Sequence, residues 1–259
     1  MLTQKKRRSL PTAGKSAADA VWQSITEGSA LKVRIRFSKT GALVYIGHLD
    51  VMRYFQKLFR RANIPVAYSE GFSPHQILSF TPPLPLGMES LGEYADVELS
   101  DSVSTKAAIE ALAAQSVPEI EIMSFKEIPP ECQNAMASVA AARYTVGNID
   151  ASIPVRELIG EFMAKEEAFI TKKTKKSEKT INIRPLVYEL KYDKQLNTME
   201  MLISSGSTDN IKPEYVLEGL GFTHNPKYDK DSLVIKRIDQ YTEDPGGFVS
   251  LDDKGCDIL

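Results

Sequence analysis

The stretch LKVRIRFS, residues 31–38, alternates without a break, with Leu31, Val33, Ile35 and Phe37 on one side and Lys32, Arg34, Arg36 and Ser38 on the other. A period of two is that of a half-buried strand, with one face on a core and one toward water. A helical period takes over in GHLDVMRYFQKLFRRA, residues 47–62. There Val51, Met52, Phe55, Leu58, Phe59 and Ala62 form an apolar stripe, and Asp50, Arg53, Lys57 and Arg60 form a polar one. Asp50 is placed to cap this helix. Short extended pieces over 66–69 and 77–80 lead through a proline-rich turn to EYADVELS, residues 93–100, which points Ala95, Val97 and Leu99 inward. An alanine-rich helix over 105–115 and the alternating EIEIMSF, residues 119–125, complete the order β-α-β-β-α-β, which is ferredoxin-like.

Pro129, Pro130 and an Ala/Ser-rich run to Ala142 interrupt all periodicity and predict a linker over 129–142. The same plan then repeats in topology. Residues 143–149 suit a strand, and Val155, Leu158, Ile159, Phe162 and Met163 mark a helix. Residues 182–192 and 198–204 suit a hairpin, Pro213 opens a helix to Leu220, and 233–241 alternate as a last strand. The expected fold is α+β, two tandem ferredoxin-like (βαββαβ) halves with antiparallel sheets at 30–128 and 143–242. A flexible arm with a short helix is expected over 1–29, and a disordered tail over 243–259.

Composition bounds the function. A 42% hydrophobic and 25% charged chain with net charge −2 exerts no global pull on nucleic acid or membrane, so any basic site must be local. Two cysteines, Cys132 and Cys256, make neither a disulfide framework nor a metal cluster and fit a reducing cytoplasm. No run approaches the length of a membrane span or the apolar core of a signal peptide, which predicts a soluble, unanchored protein.

Several local features carry chemistry. Lys32, Arg34 and Arg36 would face Tyr94, Asp96 and Glu98 on one neighbouring strand and Glu119 and Glu121 on the other, so cross-strand pairing explains them better than a nucleic-acid platform. Arg53, Lys57 and Arg60, with Arg61 beside them, suit either a phosphate-tracking stripe or a solvated helix face. His48 and Asp50 bracket the entrance of that helix, and His75 follows a turn-rich loop. The two histidines are expected to approach each other, as hydrogen-bonding groups or as acid and base, while their spacing does not suit a metal. In the loop Tyr68, Ser69, Gly71, Phe72 and Pro74, glycine frees the backbone and Phe72 can stack on a planar ligand or anchor the turn in a core. Lys172, Lys173, Lys175, Lys176 and Lys179, with Glu178 as their sole acid, form the strongest charge run. It suits polyanion contact or a solvated hairpin, with Arg184 of INIRP at its edge.

The block GHLDVMRYFQKLFRRANIPVAYSEGFSPHQILSFTPPLPLGMES, residues 47–90, resembles the signature of the bacterial radical-SAM-linked domain of unknown function. The matching positions are Gly47, His48, Leu49, Asp50, Arg53, Arg61, Ala62, Pro65, Tyr68, Ser69, Gly71, Phe72 and Pro74, and His75 stands where that family commonly has proline. The resemblance extends more loosely over roughly residues 31–241. It implies a separate radical SAM protein as partner, with SAM and an iron–sulfur cluster held there, because this chain has no CxxxCxxC. The expectation is an accessory protein that binds tRNA or rRNA, or delivers substrate, for a radical SAM modification enzyme. Two alternatives stand beside it: an RNA-processing or RNA-modifying enzyme using His48 or Asp50, and a protein-only scaffold.

Overall fold

The alternating stretch forms β1, Leu31–Lys39, and its apolar set Val33, Ile35 and Phe37 is buried as the period requires. The computed structural model describes residues 31–173, 178–206 and 209–259, with residue 173 in backbone only. The expected arm over 1–29, Lys175 and Lys176 lie outside them. After a 3-10 turn comes α1, His48–Arg61, which lays Val51, Phe55, Leu58 and Phe59 on the sheet. Its N-cap is Gly47, not Asp50. Asp50 sits within the first turn, where a carboxylate favours the positive end of the helix dipole. Then follow β2 (Leu78–Phe80), β3 (Glu89–Leu99), α2 (Thr105–Gln115) and β4 (Ile122–Glu127), with strands in the order β4-β1-β3-β2.

The β1–β3 register places Lys32 opposite Glu98, Arg34 opposite Asp96 and Arg36 opposite Tyr94, on the common face that the alternation predicts. The other neighbour differs. β4 starts at Ile122 and sets Lys126 and Ser124 opposite Arg34 and Arg36. Glu119 and Glu121 instead accept backbone bonds from Thr40 and Ser38 at the irregular end of β1, so they do not flank the arginine row.

The second face of β1 is not open to water either. Arg34 is 2% exposed and binds Asp96 through two bonds of 2.7 and 2.9 Å. The expected linker covers this face: its short helix α3, Ala135–Ser138, buries Ala135, and Gln133 O and Ser138 Oγ accept from Arg34. Lys32 donates to Cys132 O at 2.7 Å.

The second half runs β5 (Ala141–Gly147), α4 (Val155–Met163), β6 (Phe169–Lys173), β7 (Glu178–Asn182), β8 (Val187–Asp193), β9 (Thr198–Ser204), α5 (Pro213–Gly219) and β10 (Val234–Asp244), in the order β10-β5-β9-β8. The expected long strand over 182–192 is broken by a 3-10 turn at Arg184–Leu186, where Pro185 removes a ladder donor. β6 and β7 form a two-stranded sheet of their own. Phe162, Val216 and Leu217 pack with Tyr144, Val146, Met199 and Met201 in a core separate from that of the first half.

β10 joins the halves by pairing with β3 in parallel, Lys236 opposite Glu89 and Arg237 opposite Ser90. Gly92 permits the approach, since a Cβ there would lie 2.6 Å from Ile238 O and from Asp239 Cα. The tail expected to be disordered is instead built in: β11 (Gly247–Ser250) pairs with β10, and β12 (Cys256–Asp257) pairs with β4. Its apolar residues explain this. Leu251 is buried with Tyr94 and Val139, Phe248 lies 4.6 Å from the Tyr188 ring, and Ile258 packs on the first core. The fold is therefore mixed α/β, a ten-stranded, mostly antiparallel sheet with five α-helices among the described residues. None of those helices is long and apolar enough to cross a membrane.

Candidate functional site

The polar stripe of α1 divides into paired and free cations. Arg53 bonds Asp50 at 3.3 Å on the surface, and Arg61 donates to Gln115 O at 3.1 Å while lying over the Tyr54 ring. The side chains of Lys57 and Arg60 are exposed and make no ion pair or hydrogen bond among the described residues.

The loop over 68–75 is a closed neck with an aromatic tip. Tyr68 bridges to Gln76, Ser69 N donates to His75 O at 2.8 Å, and His75 N donates to Ser69 Oγ at 3.1 Å. The Ser69 hydroxyl also lies 2.8 Å from His75 Nδ1. Gly71 takes φ +108°, a conformation L side chains rarely adopt. Phe72 is fully exposed and anchors no core, while Tyr68 is half exposed.

His48 does not share this loop's contacts, so the expected meeting of the two histidines is not what the fold builds. Its ring stands edge-on to Phe80 at 5.7 Å, and it lines a 20 Å³ cavity, room for about one water, with Lys39, Thr81 and Glu93. Lys39 Nζ, buried, donates to Ile46 O at 2.9 Å. Burial holds the Lys39 ammonium below its ordinary pKa against the opposing pull of Glu93. His48 is likewise lowered, first by burial and further by the Lys39 charge, with Glu93 pulling the other way.

Glu93 is in turn paired at 3.0 Å with Arg237, which is almost fully buried, donates to Pro82 O at 3.3 Å and lies over the Tyr144 ring. Burial opposes the Arg237 charge, but Glu93 and Tyr144 outweigh it and raise its pKa. This charged junction, from β1, α1, β3 and β10, was missed by motif reading. One signal was available: Glu93 and Arg237 lie on the same alternation parity as the inward residues of their strands.

The lysine run falls on the β6–β7 hairpin, where Lys172 faces Lys179 and Lys173 faces Glu178 across the strands. The base of the hairpin is held by Ile170 in the second core, with Ile181 packed against it. Arg184 does not extend this surface. Its guanidinium donates to Met163 O, Lys165 O and Val187 O at 3.1–3.2 Å, closing the C-terminal end of α4. Among the described residues no group of three His, Cys, Asp or Glu is placed to hold a metal, and Cys132 and Cys256 are both free. These residues do not fit an iron–sulfur cluster.

Compared with known proteins, the chain matches one family model over residues 32–213, from β1 to the start of α5, which takes in α1, the 68–75 loop and the hairpin. No curated protein matches it.

Proposed function

The chain belongs to the bacterial family described as "Uncharacterized protein conserved in bacteria (DUF2344)", and within it we propose that this protein is a cytoplasmic RNA-binding accessory protein, engaging tRNA or rRNA beside a radical SAM modification enzyme. The observation that carries RNA binding is the β6–β7 hairpin, which stands off the main sheet and sets Lys172 opposite Lys179. Like charges directly opposite destabilise a strand pair, and a polyanion relieves that repulsion while releasing counterions. Phe72, exposed on a tied loop, offers a stacking surface for an unpaired base, and Lys57 and Arg60 add free cations. The radical SAM partnership rests on the resemblance of residues 47–90, with SAM and the cluster in the partner.

The strand orders β4-β1-β3-β2 and β10-β5-β9-β8 support a finer reading of the fold as tandem ferredoxin-like halves fused edge to edge through β3 and β10.

Crosslinking and sequencing of RNA from the native cell tests the function, with a Lys172→Glu/Lys179→Glu variant as control. Enriched RNA lost in the variant is expected. In binding assays the slope of log K against log salt should fall by about 2 in magnitude for Lys172→Ala/Lys179→Ala. Equal recovery from both proteins would discard RNA binding and favour the scaffold, for which pull-down of a radical SAM protein is then the decisive assay.

One observation favours an enzyme as second reading: His48 shares a cavity with buried Lys39 and Glu93. Asp50, exposed and paired with Arg53, lies outside that cavity. RNA cleavage or modification abolished by His48→Ala with RNA binding retained would establish it.

A further inference from the structure

A groove of 150 Å³ lies between the proline turn at Pro82, Pro83 and Pro85 and the second half, lined on that side by Tyr144, Lys172, Ser205, Asn210, Lys212 and Arg237. Three of these are more than nine-tenths buried yet keep hydrogen-bonding capacity. Arg237 spends Nε on the Tyr144 hydroxyl and Nη1 on Glu93 and Pro82 O, and its Nη2 makes no hydrogen bond among the described residues. The Ser205 hydroxyl makes none there either. The Tyr144 oxygen accepts from Arg237 and so retains its own proton to donate. The sealed, partnerless side-chain atoms among the described residues are Gln76 Oε1 and Gln240 Oε1, not these three donors, which open onto the groove and converge on space that an accepting ligand can fill.

Charge narrows the ligand. Among the described residues no carboxylate lines the groove, and Glu93 pairs with Arg237, leaving Lys172 and Lys212 as two positive charges without an ion pair there. That matches a dianion better than the single charge of a phosphodiester. The volume is below the roughly 300–1,000 Å³ of pockets that enclose a whole small molecule, so it suits a head group. We propose that the groove is a phosphomonoester site, for the terminal phosphate of an RNA strand or of a small phosphorylated molecule. It stands on its own geometry and does not require the RNA interface above.

The test is calorimetric titration of the full chain with AMP, adenosine and inorganic phosphate, and with one oligoribonucleotide in 5′-phosphorylated and 5′-hydroxyl forms. AMP is expected to bind at least about tenfold more tightly than adenosine, and Ser205→Ala and Lys212→Ala each to weaken it about tenfold with an unchanged circular dichroism spectrum. Lys212 is exposed, so its variant is expected to fold. Preference for the 5′-phosphorylated strand would assign the phosphate to RNA, and binding of AMP without that preference would assign it to a small molecule. If AMP and adenosine bind equally, or neither binds, or both folded variants retain affinity, the proposal is overturned. RNA binding that ignores the terminal phosphate, with no AMP binding, removes the groove and leaves the interface. AMP binding without RNA binding does the reverse.

Discussion

Arg34 carries a guanidinium where water does not follow, and Asp96 meets it through two short bonds. Removing one partner of such a pair strands the other charge, so Asp96→Asn should cost about 3–5 kcal/mol, read as a fall in Tm. A double replacement of Arg34 and Asp96 by apolar residues should recover most of that loss. The shared face was legible, because strict alternation puts Arg34 and Asp96 on the same side of the sheet. The burial was not, since the cover comes from Gln133 and Ser138, in a segment with no period of its own. The candidate surface divides in the same way. Exposure of Lys57 and Arg60 follows from local pattern, whereas that of Phe72 is decided only by the folded loop, and the junction draws on Lys39, Glu93 and Arg237, which only tertiary pairing assembles. His48 gives that junction a pH signature. Burial holds its pKa below the ordinary 6.5, so the unfolded chain binds the proton more readily and stability falls as pH drops below 6.5. His48→Gln should flatten this dependence in thermal melts recorded across the acid range, and an unchanged slope would place the titration elsewhere.

Among the elements, β3 has the most demanding task. Its Ala95–Val97 end pairs with β2, while Glu89 and Ser90 at its other end pair with β10. Gly92 lies where the backbones pass closest, and the atoms a Cβ would strike belong to the backbone of Ile238 and Asp239, which cannot swing away. Gly92→Ala should therefore destabilise the chain by more than the roughly 1 kcal/mol typical of a point mutant, visible as a lowered urea midpoint. Gly160→Ala, with nothing within 4 Å of the added carbon, is the matched control. Helix and strand types were largely readable because their periods are long and regular. The fate of residues 243–259 was not, because their apolar residues Phe248, Leu251 and Ile258 are spaced too irregularly to announce strands and find partners only in distant segments.

At the scale of the molecule, the buried Glu93–Arg237 pair and the bonds from Gln240 Nε2 to Thr81 Oγ1 and Gly92 O tie the two cores together. Residues 31–259 should accordingly unfold in one calorimetric transition whose van't Hoff and calorimetric enthalpies agree; two resolved transitions would show that the halves are energetically separate. β12 adds a constraint in time. It lies at the outer edge of β4, and Ile258 exchanges hydrogen bonds with Thr105 at the start of α2. During synthesis about 130 further residues separate the emergence of β4 from that of its partner, roughly 6–26 s at ordinary elongation rates. Through that interval the first half has an unpaired sheet edge at β4, and for most of it the Glu89–Ser90 end of β3 also waits for β10, so the nascent chain is at its most vulnerable to aggregation and proteolysis after its first core has been translated and before β10 and β12 arrive.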